Sequence, residues 1–232
     1  MNPTKSKGGI PPHGRPWKAF SRAFYAVSRI FSFVVLRTFF RVRVVGRENC
    51  PPGGGPLIIA CNHLSEWDPP LLGTSVPWQL TWVAKVELFE LLDGRANLFF
   101  DLLHCISLDR EKVDLSTMRH AVQSARQQRP LVVFAEGGIK HDETSVLGST
   151  PQIKEGAATI ALMAKCPILP AVLNGTMAAY DWRNWVFLRR PLMELVIGRP
   201  FTPSSRDRAA ATGEILGRMV ELRGQLQTKS PC

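Results

Sequence analysis

A histidine and an aspartate five residues apart, His63 and Asp68, have the residue types of a general base and its orienting carboxylate. Five residues rotate a regular helix by about 140°, so a helix alone would separate the two side chains. Pro69 and Pro70 instead favour a tight turn, because proline is preferred at the start of a helix and places the preceding residue in an extended N-cap. The sequence therefore predicts a turn that folds Asp68 back towards His63.

The spacing alone is weak, because His104 and Asp109 repeat it. His63 follows an apolar run, whereas His104 precedes one, and in a parallel sheet reactive groups lie beyond the carboxyl ends of the strands. We therefore expect His63 to be the base and His104 to have another role. The alternative is that Asp68 only caps a helix and that backbone groups satisfy His63.

A second set of polar residues follows the apolar run at 131–134. Glu136 is followed by Gly137, the first of two glycines, which allow backbone N–H groups to form an anion-binding concavity. Lys140 adds a point charge suited to phosphate, and Arg110 ends another apolar run. The alternative is an ordinary glycine turn with solvated charges and a surface arginine.

Seven short, apolar runs predict the strands that position these residues, at 42–46, 56–62, 80–86, 105–109, 131–136, 168–174 and 192–198. Helical spacing of apolar residues within 115–125 and 153–164, and a C-terminal helix over 205–228, separate or follow them. Residues 175–190 are expected to form a loop with aromatic and basic content. This alternation predicts the α/β class, with a mostly parallel central sheet covered by helices on both faces.

The positive charge is concentrated at the N-terminus. Residues 1–49 contain ten Lys or Arg and one Glu, although the whole chain of 232 residues has a net charge of +10. We expect a flexible lead-in over 1–16, a basic amphipathic helical segment over 17–41, and an α/β domain over 42–232. Such a charge asymmetry indicates an anionic partner surface, a membrane or nucleic acid.

The segment 17–41 has an apolar arc opposite a basic one when it is drawn as a helix. The longest uncharged apolar run, Ile30–Leu36, is too short to span a bilayer, so we expect the helix to lie in the membrane interface. The alternative is a helix packed on the body with its charged face in water. The apolar arc is formed by Phe20, Phe24, Val27, Phe31, Val34 and Val35, and the basic arc by Lys18, Arg22, Arg29 and Arg37.

Together these motifs resemble those of the glycerolipid acyltransferases of the 1-acylglycerol-3-phosphate (lysophosphatidate) type, over about residues 42–200. The family's NHxxxxD block is similar to Asn62–Asp68, its second block to Lys85–Arg110, and its FPEGTR block to Phe134–Gly137. Two later blocks are similar to Lys154–Ala157 and Pro167–Pro170. The third block departs from the pattern, because Ala135 replaces proline, Gly138-Ile139 replace Thr-Arg, and Lys140 lies one position beyond the expected arginine.

The resemblance implies transfer of a fatty acyl group from acyl-CoA or acyl-carrier protein to the hydroxyl of a lysophosphatidate-type acceptor, making phosphatidate in phospholipid synthesis. It implies His63 and Asp68 as catalytic residues, and Arg110, Glu136, Gly137 and Lys140 at the acceptor phosphate. It further implies membrane lipids as partners, no nucleic acid, no metal or cofactor beyond the acyl co-substrate, and a peripheral or monotopic location at the cytoplasmic face of a membrane.

Three alternatives remain open at this point. The first is an acyltransferase of the same family that acts on a different lysolipid, which the departures at 138–140 favour. The second is a metal-dependent hydrolase using His63, Asp68 and Glu136, although no pair of closely spaced zinc ligands occurs. The third is a non-enzymatic module that binds membranes or nucleic acid. Five cysteines without a CxxC pair fit reduced thiols in a cytosolic compartment.

Overall fold

The central feature of the computed structural model is a seven-stranded sheet within the residues that the structure describes, which are 15–85, 96–108, 115–127 and 129–227. Its order is β1-β7-β6-β2-β5-β3-β4. Each strand lies within or one residue beside a predicted apolar run, so the strand predictions are confirmed. The strands are β1 (Arg41–Val45), β2 (Ile58–Cys61), β3 (Thr81–Lys85), β4 (Cys105–Leu108), β5 (Leu131–Phe134), β6 (Ile168–Asn174) and β7 (Leu192–Ile197).

Two of the seven strands run against the other five. Strands β2 to β6 are mutually parallel, whereas β7 is antiparallel to β6 and carries β1 parallel to itself at the edge. We call the edge at which β2, β5 and β6 end the upper edge. Because of the reversal, β1 and β7 begin at this same edge, beside the ends of the strands that precede the predicted site.

Helices cover both faces of the sheet, so the predicted fold class is confirmed. On β2, Ile58 and Ala60 face one core, whereas Ile59 and Cys61 face the other, as the two-residue period of a strand requires. Helices α4, α5 and α7 pack on the first core and α1 and α2 on the second. The helices are α1 (Arg15–Phe39), α2 (Asp68–Ser75), α3 (Ala96–Leu102), α4 (Leu115–Ala125), α5 (Gly156–Ala164), α6 (Trp182–Val186) and α7 (Arg208–Arg223).

Two predicted segments differ in detail from the structure. The loop expected at 175–190 contains a 3₁₀ helix, Thr176–Tyr180, and the short helix α6. The C-terminal helix is shorter than 205–228, because the side chain of Asp207 accepts a hydrogen bond from the Ala210 amide at 2.8 Å and starts α7 there. Residues 1–14, most of the expected lead-in, lie outside the described residues.

The basic N-terminal segment is helical, as predicted. Most of its apolar arc does not pack on the body, as the alternative expected, but faces solvent. It turns Tyr25 and Leu36 into the body, and Arg29 donates to the carbonyl oxygen of Val76 at 2.5 Å, at the end of α2. Its large apolar side chains are instead exposed to solvent: Phe20, Val27, Ile30, Phe31, Phe33 and Val34. Two members of the predicted arc, Phe24 and Val35, are half-buried.

The length and composition of this helix also bear on the membrane. Residues Ala19–Phe39 are long and apolar enough, by those two criteria alone, to cross a bilayer. The run-length argument from Ile30–Leu36 therefore does not by itself exclude crossing, and placement in the interface stays a prediction. The apolar face is available for either arrangement because it makes little contact with the sheet.

Candidate active site

The predicted turn between β2 and α2 is present and pairs the two residues of the first motif. His63 Nδ1 lies 2.8 Å from Asp68 Oδ2. The same carboxylate oxygen accepts hydrogen bonds from the amides of Leu64 and Ser65 at 2.6 and 2.9 Å. Its other oxygen accepts from the Thr176 hydroxyl at 2.6 Å. Asp68 is fully buried, so this set of donors compensates the burial of its charge.

The local backbone of Asp68 corrects one prediction. Asp68 is the first residue of α2 rather than an extended N-cap, and Trp67 is the cap residue with helical dihedral angles. Proline disfavours a helical conformation in the residue before it, so the local sequence favoured the wrong geometry. The four contacts of the carboxylate, with Thr176 among them, hold Asp68 where it is.

The hydrogen bond to Asp68 determines what the imidazole can do. A carboxylate accepts a proton donor at Nδ1, so a neutral His63 carries its proton there and Nε2 is a free acceptor. Among the described residues, none forms a hydrogen bond with Nε2. The ring stacks on Phe134 with centroids 3.9 Å apart, and its side chain remains 16% exposed. The arrangement leaves an oriented imidazole, held through Nδ1, at the upper edge of the sheet.

Glu136 is buried beneath the turn between β2 and α2, and both of its carboxylate oxygens accept hydrogen bonds from the protein. Its Oε2 accepts the His63 amide at 2.7 Å, and its Oε1 accepts the Ser145 hydroxyl and the Val146 amide at 2.8 and 2.6 Å. Burial raises the pKa of this carboxyl group, against the opposing effect of the same hydrogen bonds. The contact with the His63 amide fixes the backbone of His63, and the role of Glu136 at the acceptor phosphate stays a prediction.

A backbone hydrogen bond joins the glycine turn after β5 to the turn between β2 and α2. Gly137 has a φ of 77°, and a Cβ there would lie 3.0 Å from Cγ of Lys154, so glycine suits the position. The Lys140 amide donates to the His63 carbonyl oxygen at 3.0 Å, while its ammonium group donates to the Thr144 hydroxyl at 3.0 Å. Arg110 lies outside the described residues.

Sequence reasoning missed two residues that position the site. The side-chain amide of Asn62 bonds both backbone groups of Leu173, at 2.9 Å through Nδ2 and 2.7 Å through Oδ1. It therefore continues the pairing of β2 with β6 beyond the strand end. Thr176 reaches Asp68 from the loop after β6. The signal for Thr176 was its place just past an apolar run that ends in Asn174-Gly175, the same kind of junction as that of His63.

The donor arrangement does not favour the metal-hydrolase alternative. Across the described part of the chain, no group of three or more His, Cys, Asp or Glu side chains is placed to hold a metal ion. The oxygens of Asp68 and Glu136 are used by the protein donors described above. A separate groove of about 680 Å³ lies between α1, β1 and α2 and does not include His63.

The fold and this site define an α/β protein with a histidine–aspartate pair at the carboxyl ends of its parallel strands. A family model described as Acyltransferase matches residues 41–174, more than half of the chain, and the chain therefore belongs to this family of enzymes. The matched span contains β1 to β6 and every residue of the site except Thr176. The resemblance predicted from the sequence is confirmed at the level of the family.

Individual relatives agree with this assignment. The chain is 29% identical over 201 residues to a 1-acyl-sn-glycerol-3-phosphate acyltransferase of Bacillus subtilis, covering 83% of this chain and 94% of the relative. It is 34% identical over 145 residues to the human alpha enzyme of that name, covering 60% of this chain and 48% of the human protein. The crystal structure of PlsC, the 1-acyl-sn-glycerophosphate acyltransferase of Thermotoga maritima, has the same fold, with a TM-score of 0.72 at 20% identity, covering 94% of this chain and 86% of that one.

Proposed function

We propose that this acyltransferase moves a fatty acyl group from an acyl thioester to the free hydroxyl of 1-acylglycerol-3-phosphate and so makes phosphatidate. The observation that carries the proposal is the His63–Asp68 pair, in which no described residue bonds Nε2, inside the acyltransferase match. The printed activities of the bacterial and human relatives support the acceptor. Acyl-CoA and acyl-carrier protein both supply the thioester chemistry.

The chemistry follows from a base that acts on an alcohol. Nε2 of His63 takes the proton of the acceptor hydroxyl as its oxygen attacks the thioester carbonyl. Asp68 stabilises the imidazolium that forms. The tetrahedral intermediate then expels the thiolate, which takes the proton back from the imidazolium, leaving an ester and a free thiol. The acceptor hydroxyl thus occupies the place of the serine in a catalytic triad.

Direct transfer is favoured over an acyl-enzyme by the environment of the nearest serine. Ser65 is fully buried, and its hydroxyl oxygen accepts a hydrogen bond from the Trp67 amide at 3.2 Å. A nucleophilic serine must contact both the base and the acyl donor, and burial denies it the donor. The same residue also contributes its amide to Asp68, which gives it a sufficient structural role.

The acceptor phosphate is proposed to bind Arg110, Lys140 and the backbone at Gly137, with Glu136 acting behind them through His63. Lys140 is close to the base because its amide bonds the His63 carbonyl oxygen. A change of Lys140 or Arg110 to Ala should then raise the acceptor KM more than it lowers kcat. If neither change altered the acceptor KM, the acceptor phosphate would not bind in this region.

The helix α1 is proposed to dock on the cytoplasmic face of an anionic membrane, with the enzyme peripheral or monotopic. The outward position of its apolar side chains supports docking, because a soluble helix usually buries such a face. Replacing the exposed Phe31 and Val34 by Asp tests it without disturbing the buried face. Unchanged sedimentation with anionic liposomes would refute the docking.

One assay tests the reaction itself. Purified protein is supplied with acyl-CoA or acyl-carrier protein and a panel of lysolipids, and release of free thiol is followed together with the product lipid. We expect 1-acylglycerol-3-phosphate to be acylated faster than the other lysolipids. Preference for another lysolipid would identify the second candidate, which the Gly138-Ile139 departure favours. Absence of thiol release with every pair would overturn the proposed function.

A further inference from the structure

The loop between β6 and β7 exposes an unusual number of large apolar side chains. We call residues 180–190 the aromatic loop. Five of its residues are more than half exposed: Tyr180 (53%), Trp182 (62%), Val186 (64%), Phe187 (61%) and Leu188 (54%). Apolar exposure concentrated in so short a segment marks a surface that contacts a partner or a membrane.

The exposure belongs to a well-anchored structure. The Trp185 indole N–H donates to the Ala179 carbonyl oxygen at 2.8 Å, and the Asn184 side chain donates to the Ala178 carbonyl oxygen at 2.7 Å. Trp185 also packs against three aromatic rings with centroids 4.9 to 5.1 Å away, those of Phe39, Phe40 and Trp67. One face of α6 is therefore fixed to the body, while the apolar side chains of Trp182, Val186 and Phe187 remain exposed to solvent.

The charges of the loop favour an anionic bilayer over an apolar protein partner. Arg183 and Arg189 lie over the rings of Trp182 and Phe187, at 6.0 and 5.7 Å from the centroids. The acidic residue of the loop, Asp181, uses its carboxylate to cap the Arg183 amide. Aromatic rings interleaved with arginines suit the headgroup region, where the rings enter the interface and the guanidinium groups meet lipid phosphates.

The loop is joined to the catalytic turn and to the end of α1. The Glu66 amide donates to the Tyr180 hydroxyl at 3.4 Å, and Thr176, just before the loop, bonds Asp68. Arg190 donates to the carbonyl oxygen of Arg37 at 2.8 Å. A bilayer that met both α1 and this loop would therefore border the turn that carries His63.

We propose that the aromatic loop is a second contact with an anionic phospholipid bilayer, which brings the catalytic turn to the surface where a membrane-embedded lysolipid enters. The entry of the lysolipid rests on the proposed function, whereas the bilayer contact does not. The contact explains why apolar side chains of the loop remain exposed although Trp185 holds the loop firmly.

The experiment compares the double change Trp182→Ser and Phe187→Ser with Met163→Ser. Met163 is also exposed, at 42%, but lies on α5 at the opposite face of the sheet. Binding is measured by co-sedimentation with vesicles of phosphatidylcholine containing phosphatidylglycerol. We expect the double variant to bind on the order of tenfold more weakly and the Met163 variant to bind like the unchanged protein. Unchanged vesicle binding by the double variant would overturn the proposal.

Two further arms separate the bilayer contact from the chemistry. Arg183→Gln with Arg189→Gln should weaken binding to anionic vesicles and leave binding to pure phosphatidylcholine unaltered. With a short-chain acceptor dissolved as monomers, the Trp182 and Phe187 variant should retain its transfer rate, while its rate on bilayer-embedded acceptor falls with its binding. Equal loss on both acceptors would place the loop in the catalytic site and overturn the proposal. If the unchanged protein transfers no acyl group, the proposed function fails and the vesicle measurements still decide the contact.

Discussion

The chain contains two histidines that resemble one another in sequence and differ in every property that matters for catalysis. His63 and His104 each precede an aspartate by five residues. Each ring also stacks on an aromatic neighbour, Phe134 in one case and Tyr25 in the other. His63, however, follows β2 at the upper edge, whereas His104 precedes β4 at the opposite edge.

Their hydrogen bonds show the consequence of those positions. His63 Nδ1 is bonded to a carboxylate, whereas His104 Nε2 is buried and has no hydrogen-bond partner among the residues that the structure describes. Burial, together with the positive charge of Arg129, lowers the pKa of His104 to about 4, which keeps it neutral at physiological pH. Strand direction and the turn that follows distinguish an oriented histidine from a half-buried one, and spacing alone does not.

The largest effect is expected from removal of the oriented base. His63→Ala should lower the transfer rate by about 10²–10⁴-fold, because no other described group takes the proton of the acceptor. The matched control is His104→Asn, since His104 has a φ of 60° and asparagine tolerates that conformation. Thiol release is measured for both variants together with their circular dichroism. Loss of transfer in the His104 variant alone would reverse the assignment of the two histidines.

A loss in the same range is expected when the carboxylate is made neutral. Asp68→Asn keeps the volume but removes the acceptor that selects the Nδ1–H tautomer, so kcat should fall by about 10²–10⁴-fold. The amides of Leu64 and Ser65 also lose part of their acceptor, so the melting temperature is recorded alongside the rate. A variant that keeps its kcat would show that the imidazole needs no orienting partner.

Glu136→Gln should have a mixed effect on rate and stability. A glutamine amide presents one acceptor oxygen where the carboxylate serves three donors, so one buried donor loses its partner at a cost of about 1–3 kcal/mol in unfolding free energy. The backbone of His63 then loosens, and kcat should fall more than acceptor KM changes. A change confined to acceptor KM would instead support the phosphate role expected from the sequence.

The last effect concerns acid stability and involves His104. Because its pKa is about 4 when folded and near 6.5 when unfolded, the unfolded state binds the extra proton between those pH values. The unfolding free energy should therefore fall as the pH is lowered from about 6.5 to about 4, by at most about 3 kcal/mol from this group. In the His104→Asn variant the fall should be smaller, as measured by urea unfolding at several pH values. Identical pH dependence in the two proteins would contradict the buried, neutral histidine.

The strands were predictable because each is a short apolar run bounded by turn residues, a signal confined to neighbours in the sequence. The helix α6 was not, because its five residues are too few to show a helical period. The same division applies to the site. The proximity of His63 and Asp68 follows from a local turn, whereas Thr176 reaches Asp68 from 108 residues away.

The contacts of Glu136 were not predictable for a similar reason. A carboxylate followed by two glycines has the composition of an exposed anion-binding turn, and only the partners of its oxygens show that it faces inward. Two of those partners, Ser145 and Val146, come from a later loop. The outward face of α1 was predictable as an apolar arc, but not the carbonyl groups at the end of α2 that hold Arg29 and so turn that arc away from the body.

The reversed direction of β1 has a mechanical consequence. Helix α1 passes into β1 through Phe40 alone, whose amide bonds the Leu36 carbonyl oxygen, and the next amide, that of Arg41, bonds the carbonyl oxygen of Pro191 directly before β7. The helix and the sheet are thus joined without a tether that could swivel. If α1 rests on a bilayer, the enzyme moves with it as one rigid body. The height of His63 above the lipid is then fixed by the fold and does not vary with the conformation of a flexible linker.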